Sequence, residues 1–260
     1  MKDVGKLWYV LGMTVERNRE KRRLFLSQEL YINNLLASFG MQDCKSASTL
    51  QVPGSRLLPR ADTNAPAASI NYPRAIDLLN YLVTCTRPDL AYSASCLAQF
   101  LNNPRSEHET TFKHVLRYLS GTQTWGISLG ELGDNSVVTA YCDSDWGSNF
   151  DSRMLFLSPQ LKRNTGQDVC WLLELVSDFG LDVKAKLLCD NQGAIALLKN
   201  PLYQHQTQHI KLRLHWCRQL LNEGDISVEY VVTNLMVADV LTKSLSCVFH
   251  QTHCAALFIL

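Results

Sequence analysis

Lys186-Leu187-Leu188-Cys189-Asp190-Asn191-Gln192-Gly193-Ala194-Ile195-Ala196-Leu197-Leu198 passes from a short apolar run into a helical pattern within a few residues. Lys186–Cys189 reads as a strand ending at Asp190. Ala194, Ile195, Leu197 and Leu198 read as a short helix stopped by Asn200-Pro201. An earlier strand, Val137-Val138-Thr139-Ala140-Tyr141-Cys142, also ends on an acid, Asp143. Strands that alternate with helices predict an α/β domain.

The pattern continues downstream. Ile210, Leu214, Cys217 and Leu221 fall on one helical face with Gly224 just beyond, and Ile226, Val228, Tyr230 and Val232 alternate along a strand. Ala238–Leu245 predicts a closing helix with Asp239 in its first turn, and the tail from Val248 is apolar without a readable period. Before Gly130 the texture differs. Leu7–Val15 and Leu24–Leu26 predict a hairpin whose connection, Glu16–Arg23, carries four arginines. Gln28–Phe39 predicts a helix ended by Gly40, residues 51–72 a loop holding three prolines, and Tyr72–Leu119 a helical region punctuated by Pro88 and Pro104 and closed by Gly121.

At 260 residues, with 46 % hydrophobic and 19 % charged positions, the chain can bury one core or two modest ones. That composition excludes a disordered or collagen-like chain. The formal charge of +1 conceals an asymmetry: residues 1–125 carry 15 Lys/Arg against 10 Asp/Glu, and residues 126–260 carry 10 against 14. The first half suits a module that attracts polyanions and the second one that gathers carboxylates, although two ordinary surfaces also produce such a difference. Nine cysteines without Cys-x-x-Cys spacing read mostly as buried free thiols. No apolar run approaches the roughly 20 residues that cross a bilayer, so the expected location is intracellular, cytoplasmic or nuclear.

In open α/β sheets, sites collect at strand carboxyl ends and neighbouring helix N-termini. Asp143 and Asp190 are therefore candidates to lie side by side, with Asp239 facing them. Three such acids without local cationic partners call for Mg²⁺ or Mn²⁺, and paired ions serve in-line displacement at a phosphodiester. An acid at a strand end equally forms a turn or caps a helix, and Asp239 complements a helix dipole with no metal at all. The helix after His209, bearing Lys211, Arg213, His215 and Arg218, suits either a phosphate-facing surface or a solvated one.

Eight strings add a second line of inference: Val10-Leu11-Gly12-Met13, Leu26-Ser27-Gln28-Glu29-Leu30-Tyr31, Thr86-Arg87-Pro88-Asp89-Leu90-Ala91, Leu116-Arg117-Tyr118-Leu119-Ser120-Gly121-Thr122, Tyr141-Cys142-Asp143-Ser144-Asp145-Trp146-Gly147, Cys189-Asp190-Asn191-Gln192-Gly193-Ala194-Ile195, His209-Ile210-Lys211 and Ala238-Asp239-Val240-Leu241-Thr242-Lys243. In this order, over nearly the whole chain, they resemble the copia-type (Pseudoviridae) retrotransposon Pol polyprotein. The matching part is the end of reverse transcriptase followed by ribonuclease H. The resemblance implies a mostly helical thumb/connection segment with an N-terminal hairpin over 1–125. Over 126–260 it implies a ribonuclease H-like mixed sheet with helices. It makes Asp143, Asp190 and Asp239 the catalytic, metal-binding aspartates for hydrolysis of RNA in an RNA–DNA hybrid, with Mg²⁺ or Mn²⁺ as cofactor. Arg117, His209, Lys211 and Arg213 become nucleic-acid contacts. The implied partners are hybrid or other nucleic acid and upstream polyprotein segments.

Two departures from the family qualify these expectations. The polymerase's Tyr-x-Asp-Asp hairpin would precede Leu7–Val15, so this chain is expected to be the C-terminal part of a longer polyprotein and not to synthesise DNA by itself. Between Arg153 and Trp171 the family holds two antiparallel strands and a helix whose glutamate completes the metal site; both strands and the glutamate are missing here. Leu157–Gly166, back-translated as CTC AGT CCA CAG CTG AAG CGG AAT ACA GGG and read from the third base, gives Gln-Ser-Thr-Ala-Glu-Ala-Glu-Tyr-Arg, the missing helix motif. A deletion with a frameshift, or a splice into the wrong frame, is the expected origin. Losing these parts should bare an edge of the strand before Asp143, weaken Mg²⁺ binding and leave little nuclease activity. A non-catalytic nucleic-acid-binding module and a decayed product without activity are the alternatives.

Overall fold

The computed structural model describes residues 5–51, 67–130, 137–142, 154–156, 184–199, 218–257 and 259. The chain divides into two compact units, residues 1–131 with 240–260, and residues 132–239. The last residues thus group with the first unit, whereas a division after residue 125 places them with the second.

Unit one carries an antiparallel sheet of four strands in the order β1 (Tyr9–Val10), β2 (Met13–Asn18), β3 (Arg23–Ser27) and β4 (Gly126–Leu129). The expected strand Leu7–Val15 is broken at Leu11-Gly12, where φ of 48° and 74° makes a tight two-residue turn. Such a turn suits glycine but strains leucine, and the Tyr81 hydroxyl donates to the Leu11 carbonyl and holds it there. In consequence β2 pairs with β3, from Thr14 opposite Ser27 to Asn18 opposite Arg23, and the basic tip narrows to residues 19–22.

Helix α1 (Glu29–Ser38) ends as its sequence indicates: Gly40 adopts φ 64°, its N–H donates to Ala37 and that of Met41 to Leu36. The helical region resolves into α2 (Tyr72–Cys85), a 3₁₀ turn (Pro88–Leu90), α3 (Ala91–Ala98) and α4 (Ser106–Gly121). Asn71 caps α2 by accepting the Arg74 N–H, and His108 Nδ1 accepts the Arg105 N–H at the start of α4. Ile32, Ile76, Leu79, Leu82, Leu97, Phe112 and Leu116 are fully buried, each adding about 1.5–3 kcal/mol of apolar burial.

In unit two the second sheet runs β6-β5-β7-β8, with β5 (Val137–Cys142), β6 (Met154–Phe156), β7 (Lys184–Cys189) and β8 (Ile226–Tyr230). β5, β7 and β8 are parallel, and β6 is antiparallel to β5. Ala140, Cys142, Ala185, Leu187, Cys189, Ile226 and Val228 form the core. Ala194, Ile195 and Leu198 from α5 (Gln192–Lys199), and Leu220 and Leu221 from the helical residues 218–223, pack against it. The edge of β5 is not bare as expected, because three residues of β6 pair with it. The β8 alternation stops at Tyr230, and Tyr230 and Val232 are exposed.

The expected closing helix is cut to α6 (Asp239–Thr242), and the tail that lacked a readable period forms α7 (Cys247–Ala256) in unit one. The seven described cysteines stand outside any disulfide, and three of them, Cys142, Cys189 and Cys254, are buried. Among the described residues no helix is long and apolar enough to cross a membrane.

Candidate functional site

Of the implied aspartates, Asp190 and Asp239 lie among the described residues and Asp143 does not. Asp190 follows β7 and is half-buried, with no hydrogen bond or ion pair among the described residues. The helix cap that it was a candidate for is supplied by its neighbour: Asn191 Oδ1 accepts the Ala194 N–H at 3.1 Å. Asp239 is buried as the first residue of α6, and its own N–H donates to the Met236 carbonyl at 3.2 Å. The parallel register sets Cys142 opposite Cys189, the last residues of β5 and β7.

Among the implied nucleic-acid contacts, Arg117 is exposed on α4, whereas His209, Lys211 and Arg213 lie outside the described residues. A more complete basic surface lies on the first sheet. Lys6, Trp8, Val15, Glu16, Arg17, Asn18, Arg23 and Phe25 line a groove of about 560 Å³. Trp8 is 71 % exposed, Lys6 and Arg17 are exposed, and Arg23 Nε donates to Ser128 Oγ at 2.7 Å. An exposed indole in a groove that also carries cations can stack on a base while they contact phosphate.

A buried polar node in unit one was not foreseen from the residues. Arg87 and Asp89 are both fully buried. Arg87 Nη1 donates to the Thr122 carbonyl at 2.9 Å and Nη2 to Thr122 Oγ1 at 2.8 Å. The Tyr118 hydroxyl donates to Asp89 Oδ2 at 2.8 Å, and the guanidinium lies over the Tyr118 and Trp125 rings. Burial pushes the Asp89 carboxyl up, but Arg87 beside it overrides this and holds it below the usual carboxylate range. From α7, the His250 ring meets Tyr118 edge-on at 5.4 Å, and Cys254 Sγ lies 3.5 Å from His250 Nδ1.

Ligand atoms of Asp89, His250 and Cys254 lie within 4.8 Å of one another. Both Asp89 oxygens, however, already accept charge-assisted or hydroxyl bonds, and the adjacent guanidinium repels a cation, so the set is a hydrogen-bonded clamp and not a metal centre. Burial pushes the Cys254 thiol up and the His250 imidazole down. The pair is thereby neutral, the reverse of the thiolate beside imidazolium that a cysteine nucleophile needs. Thr86–Ala91 and Leu116–Thr122 are two of the eight strings, and each sets ionisable residues among apolar ones, but neither string shows that they meet in one buried place.

No family model matches the chain. It is 33 % identical over 277 residues to the retrovirus-related Pol polyprotein from transposon TNT 1-94 of Nicotiana tabacum, a match covering 94 % of this chain and 21 % of that protein. To the Pol polyprotein from transposon RE1 of Arabidopsis thaliana it is 30 % identical over 276 residues, covering 95 % of this chain and 18 % of the relative. The chain therefore spans about a fifth of the length of these curated relatives. Among solved structures, the foamy viral protease-reverse transcriptase dRH in complex with ds DNA covers 86 % of this chain and 37 % of its own at 12 % identity. Its TM-score of 0.40 is too low to speak for the fold. Identity is thus sustained over almost all of its residues, and the homologues of the chain are copia-type retrotransposon Pol polyproteins.

Proposed function

We propose that the chain is a reverse transcriptase/ribonuclease H fragment that holds RNA–DNA hybrid or related duplex and cleaves it little or not at all. Residues 1–125 correspond to the end of reverse transcriptase and 126–260 to an internally deleted ribonuclease H-like domain. The observation that carries the ancestry is the register of β5 and β7. Cys142 and Cys189 are partners at the carboxyl ends of parallel neighbours, and the next residue along each chain is an aspartate, Asp143 and Asp190. Aspartates at those two points of the sequence suit the start of a cation site, and Asp239 is assigned as the third. Three parallel strands with one short antiparallel strand on the edge fit a ribonuclease H-like sheet that has lost a strand.

Asp143, Asp190 and Asp239 are the residues that would hold Mg²⁺ or Mn²⁺. Bound there, the cation supplies activation of water and stabilisation of the leaving 3′ oxygen. The residues fit it incompletely: no glutamate stands between Asp151 and Trp171, so one of four ligating carboxylates is absent and binding is weak. Nucleic-acid binding without cleavage draws independent support from the groove on the first sheet, which Lys6, Arg17 and Arg23 line together with exposed Trp8 and one acid, Glu16.

A titration of labelled RNA–DNA hybrid tests the binding part. Affinity should fall about linearly in log–log terms as salt rises from 50 to 200 mM. Affinity indifferent to salt, or no binding at 50 mM, overturns it. Sequencing the transcript tests the deletion: absence of the alternative Ser-Thr-Ala-Glu-Ala-Glu-Tyr frame across codons 157–166 removes that origin.

A further inference from the structure

We propose that Cys247–Ile259 is an acid-releasable strap on unit one, seated through His250 when that residue is neutral. The segment is attached at two places. His250 and Cys254 sit at the buried Arg87–Asp89–Tyr118 node, and beyond the helix Ile259 forms an antiparallel bridge with Ile127 of β4. Unit one surrenders the chain after β4 and regains it at Val240, so the strap is sequence-distant from the surface it covers.

Two features set α7 apart from a helix that merely completes a core. Its buried face presents His250, His253 and Cys254, while Val248 and Phe249 stand 73 % and 45 % exposed. Two buried histidines beside exposed Val248 and Phe249 depart from the apolar stripe of an ordinary packed helix. Residues 244–260 also contain no Lys, Arg, Asp or Glu, so the two histidines are the side chains that change the strap's charge between pH 5 and 8.

The groups facing His250 decide the direction. Asp89 attracts its proton, but that carboxylate is committed to Arg87 and Tyr118. Burial, Arg87 and His253 oppose protonation, and Tyr118 and Cys254 meet the ring as neutral neighbours. The seated imidazole therefore protonates below its ordinary value of 6.5. A released strap regains that value, so seating is fully favoured above pH 6.5 and is lost as pH falls below it. For one histidine that stays neutral when seated, the open population rises about tenfold between pH 7.5 and 5.5. Release uncovers the Ile127 edge of β4 and a mobile apolar segment.

Hydrogen–deuterium exchange on the full chain, expressed as protection factors at pH 7.5 and 5.5, reads this directly. The expected result is about tenfold lower protection over residues 250–257 at the lower pH, with α2 unchanged, and no such loss in His250→Gln. Equal protection at both pH values overturns the proposal. So does a parallel loss in α2, which means global unfolding, or a loss that persists in His250→Gln. If that variant does not fold, the wild-type profile with α2 as internal reference still decides.

Discussion

Arg87 and Asp89, two residues apart around Pro88, meet in a two-pronged ion pair, Nε to Oδ1 at 3.0 Å and Nη2 to Oδ2 at 2.7 Å, with both side chains fully buried. Removing the cation leaves a buried charge without its partner. Arg87→Met should lower unfolding stability by about 3–5 kcal/mol, and Arg87→Lys should rescue little because an ammonium cannot span both oxygens and Thr122. Urea denaturation checks this; a loss under about 1 kcal/mol contradicts it.

The Leu11-Gly12 turn makes a separate demand on unit one. At φ 74° an added Cβ is strained, and it would also stand 3.2 Å from the Tyr81 hydroxyl. Gly12→Ala should cost about 1–2 kcal/mol by urea denaturation. Tyr81→Phe, which removes the hold on the Leu11 carbonyl, should cost about 1 kcal/mol.

Acid should weaken the start of α4. Glu109 is paired with Lys113 at 2.8 Å and accepts from the Ser69 N–H at 2.6 Å and the Ser69 hydroxyl at 2.9 Å, which holds its carboxyl at about 2. Because the folded value is depressed, the stability it gives is complete above about 4.5 and is lost as pH falls toward 2. Melting temperatures of the wild type and Glu109→Gln should therefore differ above pH 4.5 and converge near pH 2. A constant gap across that range contradicts the assignment.

The groove makes its own prediction for binding. Arg17→Ala should weaken hybrid binding alike for different sequences and reduce the log–log salt slope by about 0.7–0.9. Trp8→Ala should weaken binding by about 1–3 kcal/mol with the slope unchanged if its exposed face stacks on a base. Filter binding at several salt concentrations separates the two effects, and a wild-type slope in Arg17→Ala removes that residue from the interface.

Much of this architecture was legible because apolar periodicity and punctuation agree. The Lys186–Cys189 run, the Val137–Cys142 strand, Gly40 and Gly121 all stand where the sequence puts them. The exceptions have physical causes. β4 is four residues long and rests on pairing with distant β3, Leu26 opposite Ile127, which no local pattern announces. α7 buries histidines and a thiol and exposes Val248 and Phe249, so a search for an apolar face misses it. Leu11 takes a left-handed conformation that leucine disfavours, and the cause is Tyr81, some 70 residues away. The positions of Asp190 just after β7 and of Asp239 at the start of α6 were legible. The Arg87–Asp89–Tyr118 clamp was not, since nothing local shows that two charges and a phenol share one buried place.

Mg²⁺-dependent cleavage of the RNA strand in a labelled RNA–DNA hybrid, measured on the purified chain beside Asp143→Asn, is the most direct test of the proposed function. The expected result is salt-sensitive binding with cleavage no greater in the wild type than in Asp143→Asn, up to about 10 mM Mg²⁺ or Mn²⁺. Efficient cleavage by the wild type, abolished by Asp143→Asn, would show that three aspartates suffice without the missing glutamate and would contradict it.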